Sequence, residues 1–181
     1  MKKFNLFSVF TILILMGLFY TSSVSAQVYV KFGDIKGDVR DKGHDEWTEC
    51  NSIQFGVANP KDMGTGSVRQ RSQAQMSEVV LSKLFDKSSV KLMEAATLGT
   101  VFPTVEIHLV RNSRSGMTTY LTVKLTNAAL SSYNISSGGQ RPEESVAVAY
   151  EEIEFTHSLI DENGREAGKI PFKWKLEQNR R

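Results

Sequence analysis

Apolar and polar residues alternate in short runs along most of the chain, and clusters of Gly, Asn, Asp and Ser separate the runs. Such alternation is typical of half-buried β-strands joined by turns. The first run places Val28, Val30 and Phe32 on one face of a predicted strand, and a second strand is expected over residues 47–55. The pattern therefore predicts a mostly β fold.

The second half of the chain repeats this pattern. Val105, Ile107 and Leu109 alternate with polar neighbours, and so do the apolar residues within 119–125. These two runs predict a hairpin whose turn lies in residues 111–116, where Asn, Ser and Gly supply the usual turn chemistry.

Three more strands are expected, over residues 131–135, 146–155 and 170–176. The middle strand changes its apolar parity after Tyr150, which predicts a β-bulge near residues 151–152. The last predicted strand has four apolar residues on the side expected to face the core, namely Ile170, Phe172, Trp174 and Leu176.

One short helix is predicted between these groups of strands. It begins at residues 86–89, where a serine hydroxyl can accept a backbone N–H, and it ends before Gly99. Its expected buried side carries Leu92, Met93 and Ala96. The preceding stretch, residues 74–85, fits neither the helical nor the strand spacing cleanly, and we favour a strand there.

The N-terminal 26 residues have the layout of a secretory signal peptide. Two lysines precede an apolar run over residues 4–20, and Val24 and Ala26 supply the small residues of a cleavage site. We expect cleavage after Ala26, which leaves one domain over residues 27–181 and no stable membrane span. The alternative is an uncleaved anchor, because the apolar run approaches the roughly 20 residues that cross a bilayer.

Charge and cysteine content narrow the possible functions. The formal net charge is +2, and the two lysines of the predicted signal peptide account for it. The mature domain thus has no basic excess with which to bind nucleic acid. Cys50 is the only cysteine, so no intramolecular disulfide can form, and we expect its thiol to be buried.

The residue patterns do not point to catalysis, a cofactor or a metal site. The three histidines, His44, His108 and His157, lack the spacing of metal ligands, and we expect them to be solvated. The glutamates within residues 143–154 fit a solvated strand face better than an acid–base pair. The domain is therefore predicted to act through its surfaces rather than as an enzyme.

Several stretches of the mature chain carry a family resemblance. They are the strand over residues 28–32 leading into residues 33–38, His44 with the hydrophobic strand behind it, residues 85–89, and the closing run over residues 172–179. Each stretch alone is weakly specific, but their order and spacing cover nearly the whole mature chain. In this combination the chain resembles Hcp, the haemolysin-coregulated tube protein family of type VI secretion systems.

The resemblance implies a small antiparallel β-barrel with one short side helix. Six copies would close into a ring, rings would stack into a tube, and the lumen would hold small effector proteins. The family offers no catalytic residues and no cofactor. Val90 stands where family members often have Pro, a mild departure because that position only prefers Pro.

The residues expected at subunit or ring-stacking contacts lie in two places. A long exposed loop is predicted over residues 59–72, and its candidates are Asn59, Pro60, Gly64, Gly66 and Arg69. In the predicted strand around residues 146–150, Ala147 and Ala149 form a small apolar second face that a neighbouring subunit could cover. The other interpretation is an ordinary exposed loop and ordinary small surface residues.

The predicted signal peptide leaves two functions open. Tube subunits of the family assemble in the cytoplasm, whereas an exported chain reaches the periplasm or the exterior. The first possibility is a secreted, ring-forming structural protein that carries effectors. The alternative is an exported adaptor that has the same barrel and binds a protein partner without forming tubes.

Overall fold

The computed structural model describes residues 26–59, 74–113, 116–161 and 165–176. The predicted signal peptide, apart from Ala26, and the predicted loop, apart from Asn59, lie outside these ranges. The strands are β1 (Ala26–Phe32), β2 (Thr48–Cys50), β3 (Ser52–Gln54), β4 (Val57–Ala58), β5 (Gln75–Met76), β6 (Val79–Leu84), β7 (Val101–Ser113), β8 (Gly116–Ser136), β9 (Glu143–Ala149), β10 (Glu152–Ile160) and β11 (Glu166–Lys175). The helix α1 (Ser89–Leu98) lies between β6 and β7. The predicted mostly β class is confirmed, and the ambiguous stretch before the helix contains strands.

The main sheet closes into a small antiparallel barrel. Pairing runs in the order β2-β1-β7-β8-β9-β6-β3. Both ends of this path belong to one stretch of chain, because only Asn51 separates β2 from β3, and its N–H donates to the Ser82 carbonyl of β6 at 2.7 Å. The single second strand predicted from the sequence is therefore wrong. It is split because its two halves pair with different neighbours, β1 and β6.

Alternate residues of the barrel strands fill its interior, as the sequence pattern predicts. Val28, Val30 and Phe32 of β1 are buried in the same cluster as the apolar faces of β6, β7, β8 and β9. The alternation fails at one point. The register between β7 and β8 shifts at Leu109 and Val110, so Leu109 is half-buried while Val110 packs with Tyr29 on the outer side of the sheet.

The helix packs against β8 and buries Leu92 and Ala95. Met93 is 40% exposed, so its predicted place on the buried side is wrong. The predicted end before Gly99 is confirmed, since Gly99 adopts a left-handed conformation with φ 63° and donates its N–H to the Ala95 carbonyl.

The start of the helix is held by a carboxylate rather than by its first serine. Ser88 occupies the cap position but makes no side-chain capping bond. Asp86 Oδ1 instead accepts the Ser88 N–H at 2.9 Å and the Ser88 hydroxyl at 2.6 Å. The predicted position of the helix start is correct. A serine hydroxyl there does accept a backbone N–H, since Ser89 Oγ accepts from the Asp86 N–H at 2.8 Å, but Ser88 does not cap the helix with its own hydroxyl.

The remaining strands, β10 and β11, form a hairpin that joins the barrel along β8. β9 pairs with the C-terminal part of β8, and β10 pairs with residues 121–126 of the same strand. Between β9 and β10, the chain faces Asn127, which has a positive φ of 47° and donates its side-chain amide to Glu151 Oε2 at 2.7 Å. The predicted bulge near residues 151–152 is thus a break between two strands.

The described residues include no helix that is both long and apolar enough to cross a membrane.

Candidate assembly surfaces

The outer half of the β10–β11 hairpin exposes apolar side chains on one face. Phe155 lies opposite Phe172, and His157 lies opposite Ile170, and residues directly opposite in an antiparallel pair share a face. Ile170 is 57% exposed, Leu159 is 41% exposed and Phe172 is 36% exposed. We call Leu159, Ile170 and Phe172 the hairpin face.

The hairpin face continues the barrel core outward. Ile153 lies opposite both Leu125 and Trp174, and it is fully buried. One step further, the Phe155 ring is half-buried against Phe55, with ring centroids 5.2 Å apart. Beyond that point no other strand of the described chain pairs with β11. The prediction that Ile170, Phe172, Trp174 and Leu176 all face the core is therefore wrong for Ile170, Phe172 and Leu176, which are exposed. Trp174 does pack against the core.

A second, different surface lies on β9. Ala147 and Ala149 point away from the core on the side opposite the buried residues of this strand. Ala147 lies opposite Val80 of β6 and Ser132 of β8, and Ala149 lies opposite Ala129 of β8. The four apolar residues, Ala147, Ala149, Val80 and Ala129, are half-buried. We call these four residues the outer patch. The structure brings the two predicted alanines together within it.

The other predicted contact residues belong to the loop. Asn59 is exposed directly after β4. Pro60, Gly64, Gly66 and Arg69 lie outside the described residues. β4 and β5, which flank this loop, pair with each other in a two-stranded sheet separate from the barrel sheet.

A row of alternating charges crosses the opposite side of the hairpin and the adjoining barrel strands. Lys31, Glu106, Lys124, Glu154 and Lys173 lie in register across β1, β7, β8, β10 and β11. Opposite charges directly across from one another favour this register by a fraction of a kcal/mol for each pair, roughly 0.2–1 kcal/mol. The hairpin therefore has one ionic face and one apolar face.

A buried histidine contact holds the loop between β1 and β2. His44 is 6% exposed, and its ring packs against Tyr29 and Trp47, with centroids 4.7 and 4.9 Å away. Its Nε2 lies 2.8 Å from Nδ1 of His108, whose Nε2 lies 2.9 Å from Glu106 Oε1. The prediction of solvated histidines is wrong for this pair, because the loop folds back over the polar face of β1 and β7. The aromatic residue Tyr29 on that polar face is the sequence feature that could indicate a covering loop.

A second buried polar cluster joins β6, α1 and β9. Lys83 and Glu144 are both fully buried, and their Nζ and Oε2 atoms are 2.5 Å apart. The Lys83 amine also donates to Asp86 at 2.9 Å and to the Ser89 hydroxyl at 3.0 Å, and the Tyr133 hydroxyl donates to Glu144 Oε1 at 2.5 Å. The predicted solvated glutamate face is therefore wrong for Glu144. Because Asp86, Ser89 and Tyr133 all bond to Lys83 or Glu144, the buried ion pair has a structural role.

The described residues contain no group of three or more His, Cys, Asp or Glu side chains arranged to hold a metal ion. Cys50 is buried, as predicted from its residue type, and burial raises the pKa of its thiol to about 12.

Comparison with known proteins gives consistent matches. The profile of a family described as type VI secretion system effector, Hcp, matches residues 29–157. Protein hcp1 of Pseudomonas aeruginosa is 23% identical over 159 residues, covering 86% of this chain and 98% of that protein. The major exported protein of the same organism is 27% identical over 147 residues, covering 76% of this chain and 84% of that protein. A solved type six secretion system protein superimposes with a TM-score of 0.79 at 32% identity, covering 86% of this chain and 99% of its own.

The family match reaches from β1 into β10 and therefore includes the barrel, the helix and both buried polar clusters. It confirms the resemblance drawn from the sequence. It also supports the structural role and gives no support to the adaptor alternative. The chain belongs to the Hcp family, the structural tube proteins of type VI secretion systems.

Proposed function

We propose that the mature domain forms a homo-hexameric ring in which the hairpin face of one subunit packs on the outer patch of the next. The exposure of Ile170, Leu159 and Phe172 is the observation that supports this proposal most strongly. Contiguous apolar surface on a soluble subunit commonly marks a protein contact. Family membership supplies the expectation that the contact is with further copies of the chain.

A closed ring with more than two subunits needs two different, complementary surfaces on each subunit. The hairpin face presents large branched and aromatic side chains. The outer patch presents small ones, which leave room for large side chains to pack closely. The two surfaces lie on different parts of the sheet, so each subunit can contact two neighbours at once.

Side-chain packing fits this contact better than strand addition. β11 pairs only with β10 among the described strands, so its other edge is open. Pro171 lies in the middle of β11 and has no N–H to donate to an added strand. A proline on an edge strand is a common protection against edge-to-edge pairing.

The proposed ring contact can be tested with charged substitutions on each surface. Ile170→Glu and Ala147→Glu should each give a monomer, because a carboxylate would be buried in an apolar interface. Each variant keeps one intact surface, so mixing them should give a dimer and no ring. Val90→Glu is the matched control, because Val90 is 61% exposed on the helix and belongs to neither surface. Rings that persist in both variants, or that are lost equally in the control, would contradict the proposal.

Stacking of rings is proposed to use the loop after β4. The candidates remain Asn59, Pro60, Gly64, Gly66 and Arg69. The separate two-stranded sheet at the base of this loop supports the idea, since it sets the loop apart from the barrel sheet. Replacing residues 60–72 with a short Gly–Ser linker should leave single rings intact and abolish longer stacks in electron micrographs. Stacks of unchanged length would rule out this role.

We further propose that residues 1–26 are cleaved during export. The lumen carries small effector proteins, and the domain has no catalytic activity. The leader pattern supports export, and a relative named a major exported protein fits it. N-terminal sequencing of the exported protein should begin at Gln27. A chain lacking residues 2–26 should stay in the cell; if it still reached the medium, and only with a type VI apparatus present, export would occur through that apparatus.

A further inference from the structure

The loop over residues 33–47 is a compact unit with its own hydrogen bonds. The Gly37 N–H donates to the Glu46 carbonyl at 2.7 Å, and the Val39 N–H donates to the Trp47 carbonyl at 3.0 Å. In return, the Glu46 N–H donates to the Val39 carbonyl at 2.8 Å. Because these bonds lie within the loop, it can move away from the sheet without losing them.

Few polar contacts attach this unit to the outer face of β1 and β7. Asp41 accepts a hydrogen bond from the Tyr29 hydroxyl, and His44 meets His108 at 2.8 Å. The Trp47 ring also packs on His108, with centroids 4.7 Å apart. Of the side chains in these attachments, only an imidazole has an ordinary pKa close to neutral pH.

The hydrogen bonds around the pair fix where its protons lie. Glu106 can only accept, so Nε2 of His108 carries a proton and Nδ1 of neutral His108 accepts. Nε2 of His44 is then the donor at the 2.8 Å contact. This leaves Nδ1 of His44 as an unprotonated nitrogen, buried and without a hydrogen-bond partner.

A further proton has no favourable place in this arrangement. On His44 it would occupy the buried Nδ1, which has no acceptor. On His108 it would set two N–H groups against each other. Burial is the main cause that lowers the pKa of His44. Repulsion from His108, which acts only when that ring is protonated, lowers it further, and the carboxylates of Asp41 and Glu106 only partly oppose this.

The other ionisable groups near the histidine pair do not account for a change of charge in mild acid. Hydrogen bonding from His108 lowers the pKa of Glu106, which is flanked by Lys31 and Lys124, so it stays ionised in mild acid. Burial, then Asp41 and Glu49, raises the pKa of Tyr29, so it stays neutral. Two ion pairs lie within the loop and move with it, namely Lys36–Glu46 and Arg40–Asp45.

We propose that the His44–His108 contact is a pH-sensitive attachment. It holds the loop on the sheet at neutral pH and releases it in mild acid while the barrel stays folded. The direction of the pH dependence follows from proton uptake. The released loop binds a proton on His44 with an ordinary affinity, near pH 6.5, and the attached loop binds it more weakly. Attachment is therefore strongest above about pH 6.5 and weakens as the pH falls towards the lower value of the attached state.

Trp47 provides a direct readout of release. The protein has two tryptophans, so a Trp174→Phe background leaves Trp47 as the single tryptophan, which is excited selectively at wavelengths where tyrosine does not absorb. Between about pH 7.5 and 5.5, uptake of one proton should change the release equilibrium about tenfold in favour of release. Iodide quenching of Trp47 should rise accordingly while the far-ultraviolet circular dichroism of the barrel stays constant. Unchanged quenching over this range would overturn the proposal.

Two variants and one titration complete the test. His44→Gln should make Trp47 quenching independent of pH, whether the loop is then attached or released. His157→Gln is the control, because His157 is exposed on β10, and it should keep the pH response. The NMR titration of His44 in the unmodified protein should give a pKa below 6.5. A pH response that survives His44→Gln, or a His44 pKa at or above 6.5, would refute the proposed pH-sensitive attachment. Neither the quenching of Trp47 nor the NMR titration of His44 depends on ring formation.

Discussion

Lys83 and Glu144 meet inside the protein with Nζ and Oε2 2.5 Å apart and both side chains fully buried. The contact links β6 to β9 beside the start of α1. Removing two charges from water costs several kcal/mol for each ion, and close, well-bonded partners are needed to offset that cost. Asp86, Ser89 and Tyr133 provide those additional bonds. The pair therefore fixes the relative positions of two strands and the helix.

Breaking this pair from one side should be strongly destabilising. Lys83→Met should lower the free energy of unfolding by about 3–5 kcal/mol, because Glu144 would remain buried without its counter-charge. The double variant Lys83→Met, Glu144→Leu should recover much of this loss. Urea denaturation followed by circular dichroism measures both. A single variant within about 0.5 kcal/mol of the parent, the range of ordinary surface changes, would show that the pair does not have this role.

Gly37 should not tolerate a side chain. A Cβ at this position would lie 2.2 Å from the Trp47 carbonyl oxygen, which is backbone and cannot rotate away. Gly37→Ala should therefore destabilise the protein by roughly 1–3 kcal/mol, the usual cost of overpacking.

Gly138→Ala is the matched control for this change, since a Cβ there meets nothing within 4 Å and its φ is not in the left-handed region. It should leave the thermal midpoint nearly unchanged. Equal shifts in the two variants would indicate that the close approach at Gly37 is not what matters.

The thiol of Cys50 should be inert in the folded protein. It is buried, and burial raises its pKa to about 12, so the reactive thiolate is scarce at pH 8. An aromatic disulfide reagent should react with one thiol for each chain in urea and with almost none in native buffer. Rapid native labelling would mean that the region around β2 opens readily.

The sequence was most informative where one side of a strand faces the core. The alternation predicts the buried apolar residues of β1 and β9, and those of β7 as far as Ile107, because a one-residue error would turn every apolar side chain outward. Gly99 likewise marked the helix end, since a left-handed residue is needed there.

The sequence was least informative where burial comes from a distant segment. His44 looked solvated in a polar loop, and nothing local indicates that this loop covers Tyr29 and His108. Glu144 looked like part of a polar strand face for the same reason, because Lys83 is remote in sequence. Ile170 and Phe172 have the pattern of core residues, but they lie beyond the barrel wall where no described strand covers them.

The proposed assembly is tested most directly by the absolute mass of the proposed mature domain, residues 27–181, measured by light scattering coupled to gel filtration at neutral pH. Six-fold assembly through the hairpin face and the outer patch predicts a single species at six times the mass of one chain. A species that remains at the mass of one chain across the accessible concentration range would contradict it.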